Sequence, residues 1–467
     1  MTDQSPVKLA PAGKRVNKIS EDRAIIFSGI LSILFLVFSL PFIPGINQAK
    51  ASTIIRDAEI EGTLRRFARP VIRSAGISED SVSINLIDDP VINAFVSNGQ
   101  AIFVTTGLVK ATESPTQLIG VLAHEMGHIA GGHLVRLRGA LENAQNVSAF
   151  SQVLGIAAGL LSGNTALGAA VSSGGAHIVQ RSILRFSRVQ EQSADQAAVN
   201  YMEGSGLSSR GIRDFLLKLK KVELLSLDGQ NPYTLTHPLT ENRIKFVENH
   251  IQNSKYKNQE PPPVLTYLHN IMRTKIIAFT EPPDATLAIY SNTKNTEIGR
   301  YALAIAQFRN SNAERALALI TELVSDFPRN PFYREFKGQI LLENGKIHAS
   351  REAYQGALEL APGEPLIMTS LAHALLEHSD PSLLSETEMN LKRALQIDPK
   401  NPFSWRLLAM ANGRGGKMGL AALAQAEYSL LSGNKSDART QARRAIKLLP
   451  KGQPGAARAR DILHQLN

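Results

Sequence analysis

Not one cysteine occurs among the 467 residues. That absence excludes a disulfide framework, a thiolate metal site and a cysteine nucleophile, and it leaves the compartment open. Acidic residues are the minority, 41 against 51 basic, for a net charge of +10. The basic residues are read as spread along the chain, so the charge implies solubility and weak surface attraction, not a nucleic-acid function. A composition of 43% hydrophobic and 20% charged residues excludes a wholly disordered, collagen-like or polytopic membrane chain. The length is too great for one ordinary core, so at least two domains are expected.

Long apolar runs are scarce, and one sits near the start. Residues 1–23 carry Lys8, Lys14, Arg15, Lys18 and Arg23 against three acids. From Ala24 to Leu40 there is no charge, the run can be stretched to Ile43, and Ala49-Lys50-Ala51 follows. Positive start, apolar middle and small-residue end are the parts of a secretory signal peptide over residues 1–51. The rival reading is an uncleaved anchor, because about 20 apolar residues span a bilayer. Pro41, Pro44 and Gly45 favour cleavage, and either reading puts everything after Ser52 beyond the inner membrane.

Residues 52–255 read as one domain with a small sheet. Ser52 to about Arg69 has the pattern of an amphipathic helix, and Val82, Ile84 and Leu86 alternate as on a strand that stops at Asp88-Asp89-Pro90. Asn98-Gly99 is a hairpin signal, and Ala101-Ile102-Phe103-Val104-Thr105-Thr106 reads as a strand. Ser114, Pro115 and Gln117 open a helix as N-cap, first residue and partner in a capping box. From Asn143 to Gln180 there is no Asp, Glu, Lys or Arg, and Gly155, Gly159 and Gly163 recur every fourth residue. That segment reads as a small-residue loop, with peripheral membrane contact through 150–171 as the alternative. A helix follows over about Arg188–Met202. Residues 256–295 read as a proline-rich linker with a short helix. In 296–467, Pro328, Pro362 and Pro399 stand 34 and 37 residues apart. With Gly338, Tyr354, Ala357, Trp405, Leu408, Ala409, Ala438 and Ala445, they resemble three to four degenerate tetratricopeptide repeats between Thr296 and Pro450, with an insertion or extra helix after Pro399. Stacked helix pairs of this kind receive peptides or partner proteins.

The chemistry is concentrated in Val121-Leu122-Ala123-His124-Glu125-Met126-Gly127-His128. Two histidines at i and i+4 project from one helix face, so both imidazoles can reach one zinc ion at about 2.0–2.1 Å. Glu125 then stands where its carboxylate can meet the activated water without ligating the metal. His133 is set aside as a ligand, because on a continued helix it would point about 140° away from His128. Glu191 in Arg188-Val189-Gln190-Glu191-Gln192-Ser193-Ala194-Asp195 is the better third ligand. Asp195, one turn on, would accept the other ring N–H of a zinc histidine, and Ala194, Ala197 and Ala198 would let the two helices approach closely.

His-Glu-Met-Gly-His followed by Arg188-x-x-Glu191-x-x-Ala194-Asp195 resembles the gluzincin peptidases of family M48. Asn93-Ala94-Phe95, Ile102–Leu108, and Thr236-His237-Pro238 with Arg243 match that family too. The resemblance implies a mainly α chain: an α+β zincin-like metalloprotease domain, then an α-helical tetratricopeptide-repeat solenoid. It implies zinc on His124, His128 and Glu191, with Glu125 catalytic. With the leader and the repeats, it implies a periplasmic endopeptidase that degrades unfolded or misassembled outer-membrane proteins and docks to their assembly machinery. Ala101, Ile102, Phe103, Val104 and Thr105 are expected to pair with extended substrate. His237 is expected to stabilise an oxyanion, to fill zinc's open position, or merely to start a helix before Pro238. Arg243 is expected to serve the oxyanion or to pair with Asp195. The competing function is a periplasmic chaperone or adaptor with latent proteolysis, and a third reading keeps residues 24–43 as an inner-membrane anchor.

Overall fold

The computed structural model describes residues 53–97, 100–136, 176–225, 233, 237–378 and 380–466. The leader over residues 1–51, the turn at Asn98-Gly99 and the stretch 150–171 fall outside these. Among the described residues no helix is long and apolar enough to cross a membrane.

The first helix starts later than expected. Thr53–Ile55 forms a strand, β1, because two of its three residues are isoleucines and all three are β-branched. Asp57 then caps α1 (Ala58–Ser74), accepting from Ile60 N at 2.9 Å, with Glu59 and Glu61 in the first turn and Arg73 in the last. Leu64, Phe67 and Val71 form its buried stripe. β2 (Ser83–Asp88), β3 (Ala94–Ser97) and β4 (Ala101–Thr105) complete a four-stranded sheet in the order β1-β2-β4-β3. β4 runs parallel to β2 and antiparallel to β3, with Ser97 opposite Ala101, so the Asn-Gly signal does lie between two hairpin strands.

A short α2 (Thr106–Ala111) leads to α3 (Pro115–Ala130). Ser114 caps α3 as expected, accepting from Gln117 N at 3.3 Å. Gln117 Oε1 reaches past the cap to Glu113 N at 2.7 Å instead of closing the box on Ser114. α3 is buried nearly all round, as a central core helix must be. It packs on α1, on α4 (Ala176–Gly204) and on α5 (Arg210–Leu225). Its close approach to α4 depends on Gly127, where a Cβ would lie 2.8 Å from Ala194 O and 3.1 Å from the Ala197 methyl. The small residues expected to permit that approach are thus at the crossing. α6 (Glu241–Asn253), capped by Thr240, closes the domain.

The segment read as a linker is structured and shared. α7 (Pro263–Thr280) turns Leu265, Leu268, Met272 and Ile276 toward the first domain's core, and Ile271 and Ala278 toward the second. The prolines that suggested a linker occupy helix N-termini, where a missing N–H costs nothing. α8 (Pro283–Tyr290) follows.

Four helix pairs come next: α9 (Glu297–Arg309) with α10 (Ala313–Asp326), α11 (Pro331–Glu343) with α12 (Ile347–Leu360), α13 (Pro365–Glu377) with α14 (Leu384–Ile397), and α15 (Pro402–Arg414) with α16 (Met418–Leu431). Gly338 lies where a Cβ would meet the Tyr354 ring at 3.0 Å, which is why the crossing takes glycine. The long interval after Pro399 holds an extra helix, α17 (Lys435–Leu448), which pairs with the terminal α18 (Pro454–Gln465).

The repeats hold the first domain by the opening turn of α1. Lys275 Nζ lies 2.7 Å from Asp57 Oδ2 and 3.2 Å from Glu59 Oε2, and Tyr301 Oη donates to Glu59 at 2.9 Å. Ala58 is buried with Ala357 and Ile367.

Candidate metal centre

The centre is built where α3 crosses α4. One helical turn separates His124 from His128, and their Nε2 atoms are 3.1 Å apart. From α4, Glu191 places Oε2 3.3 Å from His124 Nε2 and Oε1 3.2 Å from His128 Nε2. His237 arrives from the segment before α6, with Nδ1 3.0 Å from Glu191 Oε1 and 3.4 Å from His124 Nε2. One donor atom from each of these four residues lies within 4.8 Å of all the others, and His124, Glu191 and His237 are buried. Three imidazole nitrogens and a carboxylate facing inward at these separations fit a cation about 2 Å from each.

Each ligating face is oriented from behind. His124 Nδ1 is 3.0 Å from Asp195 Oδ1, so its N–H points to the carboxylate and its other nitrogen faces the centre. His128 Nδ1 is 3.0 Å from His133 Nδ1. His133 is therefore not a donor at the centre, as expected, although the reason differs. The helix does not continue past Ala130, and Gly132, at φ 59°, turns the chain so that His133 folds back onto His128. Gly131 leaves it room, since a Cβ there would be 2.3 Å from His133 Nε2.

Arg243 pairs with Asp195, one of the two roles expected for it. Its Nε and Nη2 reach the two Asp195 oxygens at 2.6 and 2.9 Å, and Nη1 lies 3.0 Å from Glu191 Oε2. Nη1 also approaches the carbonyls of His237 and Pro238 at 3.4 and 3.2 Å. One guanidinium thus fixes both α4 carboxylates and the backbone that carries His237. His237 does not start a helix, because Thr240 is the cap of α6. Its N–H donates to Tyr233 O at 2.7 Å, and its ring lies 4.8 Å from the Tyr233 ring, 33° from parallel.

The electrostatics separate the groups by task. Burial works against charge on His124, but Glu191 and Asp195 outweigh it and hold the pKa up to about 10. Burial pushes His128 down to about 3. For Glu191, burial is overridden by the neighbouring histidines, which keep it well below the usual carboxylate range. Glu125, 1% exposed, is raised by burial while His237 and His124 pull the other way. Its Oε1 lies 3.6 Å from His237 Nε2, beside the donor cluster and not in it.

Two features were not as expected. Ala101, Ile102, Phe103, Val104 and Thr105 form the inner strand β4, with β2 on one side and β3 on the other, so they offer substrate no free backbone edge. The reason is that β3 pairs antiparallel along that edge. The open edge beside α3 belongs to β3. Asn93 escaped notice as a site residue in its own right: it is 1% exposed at the start of β3, and neither side-chain polar atom has a partner among the described residues. Only its place in Asn93-Ala94-Phe95 could have marked it.

Residues 57–251 match the pattern of Peptidase family M48. The Beta-barrel assembly-enhancing protease of Yersinia pestis is 24% identical over 403 residues, covering 84% of this chain and 80% of that protein. The protein of the same name in Escherichia coli (strain K12) is 24% identical over 413 residues, with the same coverage. The Mitochondrial metalloendopeptidase OMA1 of Schizosaccharomyces pombe is 24% identical over 194 residues, 42% of this chain and 54% of that one. Domain, relatives and donor cluster agree: the chain carries a Peptidase family M48 domain and is a metalloendopeptidase.

Proposed function

We propose that the chain is a zinc endopeptidase of the bacterial cell envelope, located in the periplasm, that hydrolyses unfolded or misassembled outer-membrane proteins. The observation that carries this reading is Glu125, buried beside four converging donors at the crossing of α3 and α4. Relatives named Beta-barrel assembly-enhancing protease, matched over most of their length, support that class of substrate.

His124, His128 and Glu191 would hold the zinc ion, which supplies Lewis-acid polarisation of the peptide carbonyl and makes water acidic enough to ionise near pH 7. Glu125 takes the proton as water attacks and passes it to the leaving amine. Burial raises the pKa of Glu125 above its ordinary value, which favours the protonated form that delivers the proton to the leaving amine. Asp195, held by Arg243, fixes the His124 tautomer. Substrate would add as a strand on the free edge of β3, with main-chain hydrogen bonds that tolerate many sequences. The unpartnered amide of Asn93 stands at the start of that strand for a backbone group of the substrate.

The test is degradation of a denatured outer-membrane barrel by the compact unit Ala51–Asn467. Cleavage stops with chelator, returns with zinc, and spares the folded barrel. Cleavage that persists without metal overturns the reading.

His237 closes the centre in this reading. A catalytic zinc site keeps a position open, and His237 Nδ1 stands in the ring of donors, 3.0 Å from Glu191 Oε1. His237→Ala therefore raises proteolysis several-fold at unchanged zinc content. A large fall would assign His237 to the oxyanion, and no change would exclude both roles.

A further inference from the structure

The excess positive charge is not spread along the chain. Residues 435–467 hold eight Lys or Arg against Asp437 and Asp461, a net +6 out of the +10 of the whole chain. They form α17 and α18, the last pair of the repeat array. Two of the eight are engaged: Arg458 reaches both oxygens of Glu427, and Arg439 donates to Leu466 O. Arg443, Arg444, Lys447 and Lys451 are exposed, and none has an acidic partner among the described residues. On α17 the first three share the outward stripe with Leu448, which is 50% exposed, while Ala438, Ala442 and Ala445 face inward and are buried.

Ordinary structural needs account for only part of this. A helix dipole favours a cation or two in the last turn, and its effect fades within that turn. The end of a repeat array needs a polar outer face, but a mixed one serves solubility as well. Here one sign dominates around a protruding leucine.

We propose that the outward face of α17, with Arg443, Arg444, Lys447 and Lys451 around Leu448, docks on an anionic phospholipid bilayer. The cations meet the headgroup phosphates, and Leu448 enters the interface between them. The surface is the exposed face of one helix, which suits a sheet of charge better than an extended acidic peptide. Residues 435–467 contain no Phe, Tyr or Trp on which unpaired bases could stack. This docking is independent of proteolysis and of the leader.

The test is co-sedimentation of the unit Ala51–Asn467, which excludes the apolar leader, with two vesicle preparations. One is phosphatidylcholine alone; the other contains one third phosphatidylglycerol. Binding is expected to the second only, and to vanish in half-molar salt, where screening acts within roughly 4 Å. Joint substitution Arg443→Glu, Arg444→Glu and Lys447→Glu lowers affinity by about a hundred-fold or more, at about five-fold for each cation removed. Leu448→Ser lowers it a few-fold, and reversal of the exposed Lys255, Lys257 and Lys294 leaves it unchanged. Circular dichroism melts confirm that each variant is folded, and the salt and Leu448→Ser results stand even if the triple variant is not. Equal binding to neutral vesicles, or undiminished binding by the triple variant, overturns the proposal. So does displacement from vesicles by polyglutamate or duplex DNA at matched charge, which would make the face a site for another polyanion.

Discussion

Glu125→Gln leaves the metal bound and lowers proteolysis by at least about a hundred-fold, the share of the barrier a positioned general base removes. The separation of effects follows from geometry. Glu125 contributes no atom to the cluster of His124, His128, Glu191 and His237, so an amide of the same shape leaves the donors in place. It does lose the ability to accept a proton. Metal content by mass spectrometry and degradation of an unfolded barrel, measured on the same preparation, check both halves. Loss of metal in this variant would mean that Glu125 is a ligand, and retained proteolysis would mean that another group takes the proton. The same variant in cells separates the two functional readings. If outer-membrane assembly proceeds normally without cleavage, binding by the repeats is the main task.

The catalytic constellation was legible because its spacing is a property of one helix at a time. His124 and His128 share a face by helical period alone, as do Glu191 and Asp195, and Gly127 with Ala194 shows in the sequence which faces can touch. What one helix cannot reveal is what lies across from it. The strand Ala101–Thr105 was legible as a strand, but its place in the order of four depends on pairings no local pattern contains. β1 was hidden by its length, since three β-branched residues before a strong N-cap read as the start of the helix. Helix α7 was expected as a short helix within a linker, and its sharing between two cores was hidden for the opposite reason. Its prolines look like breaks, and its apolar residues point to two cores at once, so no single amphipathic stripe emerges. The repeat pairs were legible through Gly338, Tyr354 and the proline spacing, because each hairpin repeats the same local geometry. The basic residues of 435–467 were read as part of an even spread, and their gathering on α17 and α18 shows only once those helices are placed.

Lys275→Met destabilises the junction between peptidase domain and repeats by about 3–5 kcal/mol, the cost of removing one partner from a buried ionic group. Lys275 is 4% exposed and is the cation shared by Asp57 and Glu59, which open α1. Burial raises the pKa of Glu59 while Lys275 pulls it down, so without the ammonium the carboxylate has only the Tyr301 hydroxyl. More acid lies close by: burial lifts Glu335 from 4.5 to about 8 and Glu364 from 4.5 to about 6. A carboxyl with a raised folded-state pKa binds more protons folded than unfolded, so its contribution to stability falls as pH rises between the two values. The parent should therefore lose stability from about pH 5 to about pH 8, and Lys275→Met should lose more because Glu59, already raised by burial, is raised further without the ammonium. Glu191 and Asp195, whose values are lowered, titrate below that window, whereas His128 and His269, held down to about 3 and about 4, oppose the trend below pH 6.5, so the fall is steepest above it. The measurement is the first urea transition at pH 5 and pH 8, since a chain of this size need not unfold in one step. Adding Glu59→Gln to Lys275→Met removes the orphaned charge and should recover much of the loss. A single variant as stable as the parent at pH 8 would show that the junction is held by the packing of Ala58, Ala357 and Ile367 instead.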